Sequence, residues 1–181
     1  MRATGIVRRI DDLGRIVIPK EIRRTMHIRE SDPMEIFTDK EGQVILKKYS
    51  PIGEMTAFAQ QYAESMAQVS GHMVLITDRE QFIAAAGGCK ILLNQEISAG
   101  LEEKIEQREV FIAARGERSF TYICSDMTLD YVHEIIAPII CQGDVIGSVI
   151  LLESDTRKKL SETDLKLVQA AAVFLGRQME E

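Results

Sequence analysis

The chain has 181 residues, 45% of them hydrophobic and 28% charged, with a formal net charge of −6. That apolar content excludes a disordered chain, and no run approaches the roughly 20 apolar residues that cross a bilayer, nor does the N-terminus carry a signal-peptide core. A cytoplasmic protein with no membrane partner is expected.

The charge is unevenly held. Residues 1–50 carry 11 Lys and Arg against 8 Asp and Glu (net +3), whereas residues 51–181 carry 11 against 20 (net −9). A small basic module before a larger acidic one is the implied organisation, and such asymmetry suggests a nucleic-acid or membrane contact at the basic end. Cys89, Cys124 and Cys141 are odd in number, widely spaced and set among apolar residues. They fit reduced, buried thiols better than a disulfide framework.

Thr4 to Ile10 reads as a strand, with Ile6, Arg8 and Ile10 on one face and Gly5, Val7 and Arg9 on the other. Asp11 to Gly14 supplies a turn, and Arg15 to Ile18 resumes as a short β-branched strand. Pro19 suits the first position of a short helix, with Glu21 in its first turn and Ile22 and Met26 as an i,i+4 stripe flanked by Arg23 and Arg24. His27-Ile28 begins the exit. Met34 to Phe37 is a third strand, and the Asp39 to Gly42 turn leads into Gln43 to Lys48. One short helix and four short strands supply little private core, and a lone His27 cannot make a structural zinc site. Homodimerisation with exchanged strands is the remaining solution.

The run TGIVRRIDDLGRIVIPKEIRRTMHI, followed by DPMEIF and VILKKY, resembles the swapped-hairpin DNA-binding domain of the bacterial transition-state regulators. The resemblance covers almost all of residues 1–50. It implies two intertwined chains presenting a surface to double-stranded DNA, with contacts at Arg8, Arg15, Arg23 and Arg24; Lys20 and Arg2 are weaker candidates at the edge of the patch, and Arg9 is a further DNA-binding candidate. Long cationic side chains on a strand, a turn and a helix can converge in such a dimer, some neutralising phosphates and some reaching base edges. In the competing account, Arg15 serves a fold-supporting ion pair with Asp11 or Asp12, and Arg9 is merely solvated. Lys47 and Lys48 read as solubilising a strand end. The family also holds antitoxins that end in a disordered tail, a plan from which this chain departs.

Ser50-Pro51 makes a hinge. From Ile52 to Val69, a helical seam follows through Ile52, Met55, Ala59, Tyr62, Met66 and Val69, and Gly71 stops it. His72 to Thr77 and Gln81 to Ala86 read as strands, and a helix to about Arg108 begins at Ser98, with Asn94 as the competing cap. Val110 to Ala114 and Ser119 to Cys124 suggest further strands. Tyr131 to Cys141, Gln142-Gly143-Asp144 and Val145 to Leu152 form the strongest hairpin signal in the chain. Ser161 with Asp164 resembles a capping box before a second seam through Leu165, Val168, Ala172, Leu175 and Met179. This order resembles a GAF-type domain.

The expected whole is an α+β protein: a swapped-hairpin, β-rich, dimeric DNA-binding domain over 1–50, then a GAF-like α/β domain over 51–181 with flanking bundle helices. The helices suit pairing between subunits, and the resemblance implies a homotetramer made by pairing two DNA-binding dimers.

A ligand, if one exists, is expected between the sheet and the helix near 91–109, with Asp78, Glu134, Ser98 and Arg115 as candidates. Each has a plainer account: a turn cap, a solvent-facing strand residue, a helix cap and a charged loop. Gly87-Gly88 lacks the Lys-Ser/Thr of a phosphate loop, and no histidine and cysteine pattern supports a bilin, haem or metal, so no cofactor is expected. Cys124 beside Ser125-Asp126 has no base placed for nucleophilic catalysis. The reading is a sequence-selective transcriptional regulator, not an enzyme; the resemblance implies a role in developing spores, activating some genes and repressing others. A small-molecule sensor working mainly through protein partners is the alternative, and a hydrolase ranks far below both.

Overall fold

The structure, a computed structural model, describes residues 4–180 apart from 27, 31, 51, 53, 54 and 126–128. The expectations for Arg2, His27, Pro51 and Asp126 therefore lie outside the described residues. Two compact units emerge, 1–49 and 50–181.

The first unit has a turn at 11–14, helix α1 (Lys20–Thr25) and a hairpin of β1 (Met34–Thr38) and β2 (Val44–Lys48) in antiparallel register. Pro19 is the cap of α1, one position earlier than expected, and its carbonyl accepts from Arg23 N. The expected strands over 4–10 and 15–18 do not form within this chain: their cross-arm bond is Asp11 N to Arg15 O, 3.0 Å, at the tip. A strand exists only where a neighbour takes its N–H and C=O groups, and beyond the turn no backbone bond joins these two arms among the described residues. No described residue of this unit is buried. Val7 is 86% exposed and Val17 72%, with Ile10, Ile16, Met26, Ile36 and Val44 also open. The β1–β2 turn is held by Asp39, whose carboxylate accepts from Glu41 N and Gln43 N at 2.9 Å each.

The second unit is built on a five-stranded antiparallel sheet in the order β4-β3-β7-β6-β5, made of β3 (Met73–Thr77), β4 (Phe82–Ala86), β5 (Phe111–Ala114), β6 (His133–Cys141) and β7 (Asp144–Glu153). Alternate residues serve two separate cores, as the two-residue strand period requires. Val74, Ile76, Ile135, Ala137, Val149 and Leu151 pack with helices α2 (Thr56–Ser70) and α4 (Glu162–Gln178). Leu75, Ile136, Ile150 and Leu152 pack on the opposite face with helix α3 (Ala99–Glu106) and the loop through Ile123. Burial on both faces explains why β6 and β7 read as nearly continuous apolar runs.

The β6–β7 hairpin turns through Gln142 and Gly143, both at positive φ (50° and 90°), the two-residue turn that matches strand twist. Helix α2 starts at Thr56 and ends at Gly71 in the left-handed conformation; Val69 falls outside its buried stripe, which runs through Ala59, Ala63 and Met66. The α4 seam holds, opened by the Ser161–Asp164 capping box. At Gly176, a Cβ would collide with the Ile140 carbonyl, so α4 lies directly on the backbone of β6. The outer edge of β4 is occupied from within: the Gln60 amide donates to Ala85 O at 3.1 Å and accepts from Ala85 N at 3.0 Å. Phe82 N and O on the same edge bond Gln95 O and Asn94 N. Asn94 is thus a turn residue at positive φ, not a helix cap. Ser119 to Cys124 is a loop, because buried polar side chains rather than a neighbouring strand take its backbone groups.

Candidate nucleic-acid interface

Arg8 and Arg9 lie on the arm that enters the 11–14 turn, and Arg15 opens the arm that leaves it. Asp11 organises the tip. Its Oδ1 accepts from Leu13 N (3.0 Å) and Arg15 N (2.8 Å), and its Oδ2 accepts from Arg15 Nε (2.8 Å). The backbone and guanidinium N–H groups of Arg15 together hold the Asp11 carboxyl below the usual carboxylate range. The ion-pair account of Arg15 is therefore realised with Asp11. The Arg15 side chain is still 69% exposed, so its remaining donors face outward.

Lys20, Arg23 and Arg24 stand at i, i+3 and i+4 on α1 and share a face. Arg23 and Arg24 occupy the last turn, where cations complement the helix dipole. Arg23 Nη1 stands 3.8 Å from Glu30 Oε1, beyond hydrogen-bond reach. Among the described residues, Arg8, Arg9, Lys20 and Arg24 form no ion pair. At the hairpin, Lys47 covers the Phe37 ring at 4.8 Å and Lys48 meets Asp32 at 3.5 Å, so both lysines serve the local fold.

In the second unit, an open surface depression of about 420 Å³ lies between the start of α3 and the 119–125 loop, lined by Ser98, Gly100, Phe120, Thr121, Tyr122, Cys124 and Ser125. It borders the helix near which the sequence places a ligand, but no sheet residue among those described lines it. Of the four candidates only Ser98 lines it, and that hydroxyl is already engaged as the α3 cap, accepting from Leu101 N and donating to Tyr122 O. Asp78 caps its turn through Glu80 N and Gln81 N (2.7 and 2.8 Å). Arg115 pairs with Asp130 at 2.7 Å and stacks against Phe120 and Tyr131.

Glu134 is not the solvent-facing residue expected: it is fully buried. Its Oε1 accepts from Thr121 N at 2.8 Å and meets Lys104 Nζ at 3.4 Å, while Oε2 has no partner among the described residues. Burial pushes its pKa up to about 7, against the pull of the Thr121 N–H and the Lys104 ammonium. Lys104, which sequence reasoning missed, also donates to Ser119 O and Thr121 Oγ1 and sits over Phe111. Its signal was positional, since it falls between Leu101 and Ile105 on the buried face of α3. Tyr131 Oη donates to Thr121 O and accepts from Ile123 N.

His72 bonds Glu153 at 2.8 Å and faces Asp164 at 3.8 Å, a structural junction. Among the described residues no cluster of metal-ligating side chains forms, and no helix is long and apolar enough to cross a membrane. The Cys89 thiol donates to Ala86 O, and burial pushes its pKa up.

Residues 54–180 match the family model described as stage V sporulation protein T C-terminal, transcription factor, and residues 7–54 match that of antidote-toxin recognition MazE, bacterial antitoxin. The chain is 47% identical to stage V sporulation protein T of Bacillus subtilis (strain 168), covering 100% of both chains. Against the transition state regulatory protein AbrB of the same organism, it is 42% identical over 85 residues, 46% of this chain and 88% of that one. Among solved structures, the GAF domain of an Acinetobacter phosphoenolpyruvate-protein phosphotransferase aligns at TM-score 0.59 and 11% identity, covering 69% of this chain and 81% of that one. At that identity the likeness concerns the fold alone, an α+β fold similar to that of GAF domains.

Proposed function

The chain belongs to the stage V sporulation protein T family of transcription regulators, and on that premise we propose that it reads duplex DNA through an intertwined dimer of residues 1–50. It is a non-catalytic sporulation regulator. In the proposed dimer the arms 4–10 and 15–18 find their strand partners in a second copy. Arg8, Arg15, Arg23 and Arg24 then converge on the nucleic acid, with Lys20 and Arg9 at the margin. Some genes are activated and others repressed.

One observation carries this reading: no described residue of the first unit is buried while a set of β-branched and aliphatic side chains stands open. A unit of this size cannot remain folded in that state without a second surface to cover it. The residues 51–181 unit would control assembly, pairing two dimers into a tetramer through α2 and α4. Phe58, Tyr62 and Phe174 form an aromatic patch there, with Tyr62 and Phe174 stacked at 5.5 Å, beside the exposed Val173.

The deciding experiment is competition at fixed salt between a duplex selected from a random-sequence pool by the full chain and a scrambled duplex of equal length. Preference for the selected duplex supports the reading; equal affinity overturns it. A second reading, a small-molecule sensor working through protein partners, is favoured by the open depression at Thr121, which bonds the buried Lys104–Glu134 pair. Under it both duplexes bind weakly and alike.

A further inference from the structure

Asp11 is an acid at the centre of the most basic stretch of the chain, where it repels any phosphate that the arginines attract. Its two oxygens do different work. Oδ1 accepts from Leu13 N and Arg15 N and so forms the turn, a task that the amide oxygen of asparagine performs equally well. Oδ2 plays no part in those turn bonds; among the described residues it accepts only from Arg15 Nε, at 2.8 Å.

A guanidinium has five N–H donors in a rigid fork. Tethering Nε at one side fixes the plane of the fork and leaves the Nη donors outward, consistent with the exposure of the Arg15 side chain. Paired parallel N–H groups are what the N7 and O6 acceptors of a guanine edge require, whereas a phosphate is satisfied by a mobile cation in many orientations. Asp12, the neighbouring acid, makes no such contact among the described residues.

We propose that Asp11 is a specificity-determining positioning residue, whose Oδ2 holds the Arg15 fork for bidentate reading of a guanine edge instead of a phosphate. The inference rests on the reading that Arg15 meets duplex DNA, and the experiment separates the two.

Full-length wild type, Asp11→Asn, Asp12→Asn, Arg15→Lys, Arg15→Ala and the Asp11→Asn/Arg15→Lys double variant are compared on the selected and scrambled duplexes at one salt concentration. Each variant's solution mass and melting midpoint are checked against wild type. Both Asp→Asn variants remove one negative charge and should tighten scrambled-duplex binding by similar factors. Asp11→Asn alone should lower the selected-to-scrambled ratio, by about 10-fold. In the Arg15→Lys background it should lower that ratio no further. Equal ratios for Asp11→Asn and Asp12→Asn overturn the proposal, as does an undiminished effect in the Arg15→Lys background. A fall in melting midpoint with parallel loss on both duplexes also overturns it, since that marks a turn-forming role only. Unchanged binding by Arg15→Ala instead removes the premise that Arg15 meets DNA.

Discussion

Glu134 carries the pH dependence of the second unit. A buried carboxyl whose pKa is raised from 4.5 to about 7 holds its proton more tightly folded than unfolded. The stability it lends is fully present below about 4.5 and is lost as pH climbs to about 7, a change on the order of 2–3 kcal/mol. Glu153 acts in the opposite window. Against the desolvation that would raise it, Asp155 N and His72 hold its pKa lowered, so its contribution is present above the ordinary carboxylate value and lost on acidification below it. Between pH 5 and 7 the urea midpoint of wild type should therefore fall with rising pH, and Glu134→Gln should flatten that slope whichever way it moves absolute stability. An equal slope in the variant would place the titration elsewhere. In the first unit, Arg15→Ala should weaken selected-duplex binding and reduce the slope of log affinity on log salt by up to about 0.9, if the contact is to phosphate. A purely base-edge contact lowers affinity and leaves the slope. Both outcomes require an unchanged solution mass.

At the scale of elements, α4 offers a substitution whose sign is informative. Helix propensity alone makes Gly176→Ala stabilising by roughly 1 kcal/mol. The added methyl, however, meets the Ile140 carbonyl of β6, so overpacking of about 1–3 kcal/mol should win and the melting midpoint should fall. Elements closed by their own chain were legible in the sequence: the β6–β7 hairpin from its Gln-Gly turn, α4 from its capping box, α2 from its terminal glycine. The arms at 4–10 and 15–18 have strand composition but no ladder in one chain, because alternation reports which faces are apolar and not who supplies the neighbour. Ser119 to Cys124 misled for the reverse reason. Its aromatic and β-branched residues suit a strand, yet Lys104, Glu134 and Tyr131, each distant in sequence, take its polar groups. Glu134 reads as solvent-facing because a carboxylate is ordinarily a sign of solvent, yet β6 is covered on both faces. For Arg15 the sequence leaves an ion pair with Asp11 or Asp12 as the alternative to DNA contact. The structure permits both, because a single Nε bond leaves the rest of the fork open.

For the molecule as a whole, the proposed tetramer places its weight on the aromatic patch of α2 and α4. Phe174→Glu should halve the subunit number by light scattering while leaving a DNA-binding dimer, with affinity for paired sites reduced through lost avidity. A tetramer of unchanged mass would move the interface elsewhere. The β4 edge of the same unit cannot substitute for that patch, for a reason set by Gln60. By presenting its amide to Ala85, this side chain impersonates an adjoining strand, while the 94–95 turn does the same for Phe82. A border already saturated in this way offers no template to a passing polypeptide. The β4 border is therefore insulated from zipper-like growth at high local concentration. In the proposed tetramer the contact between copies is made by helices, whose side chains can discriminate between neighbours where bare main chain cannot.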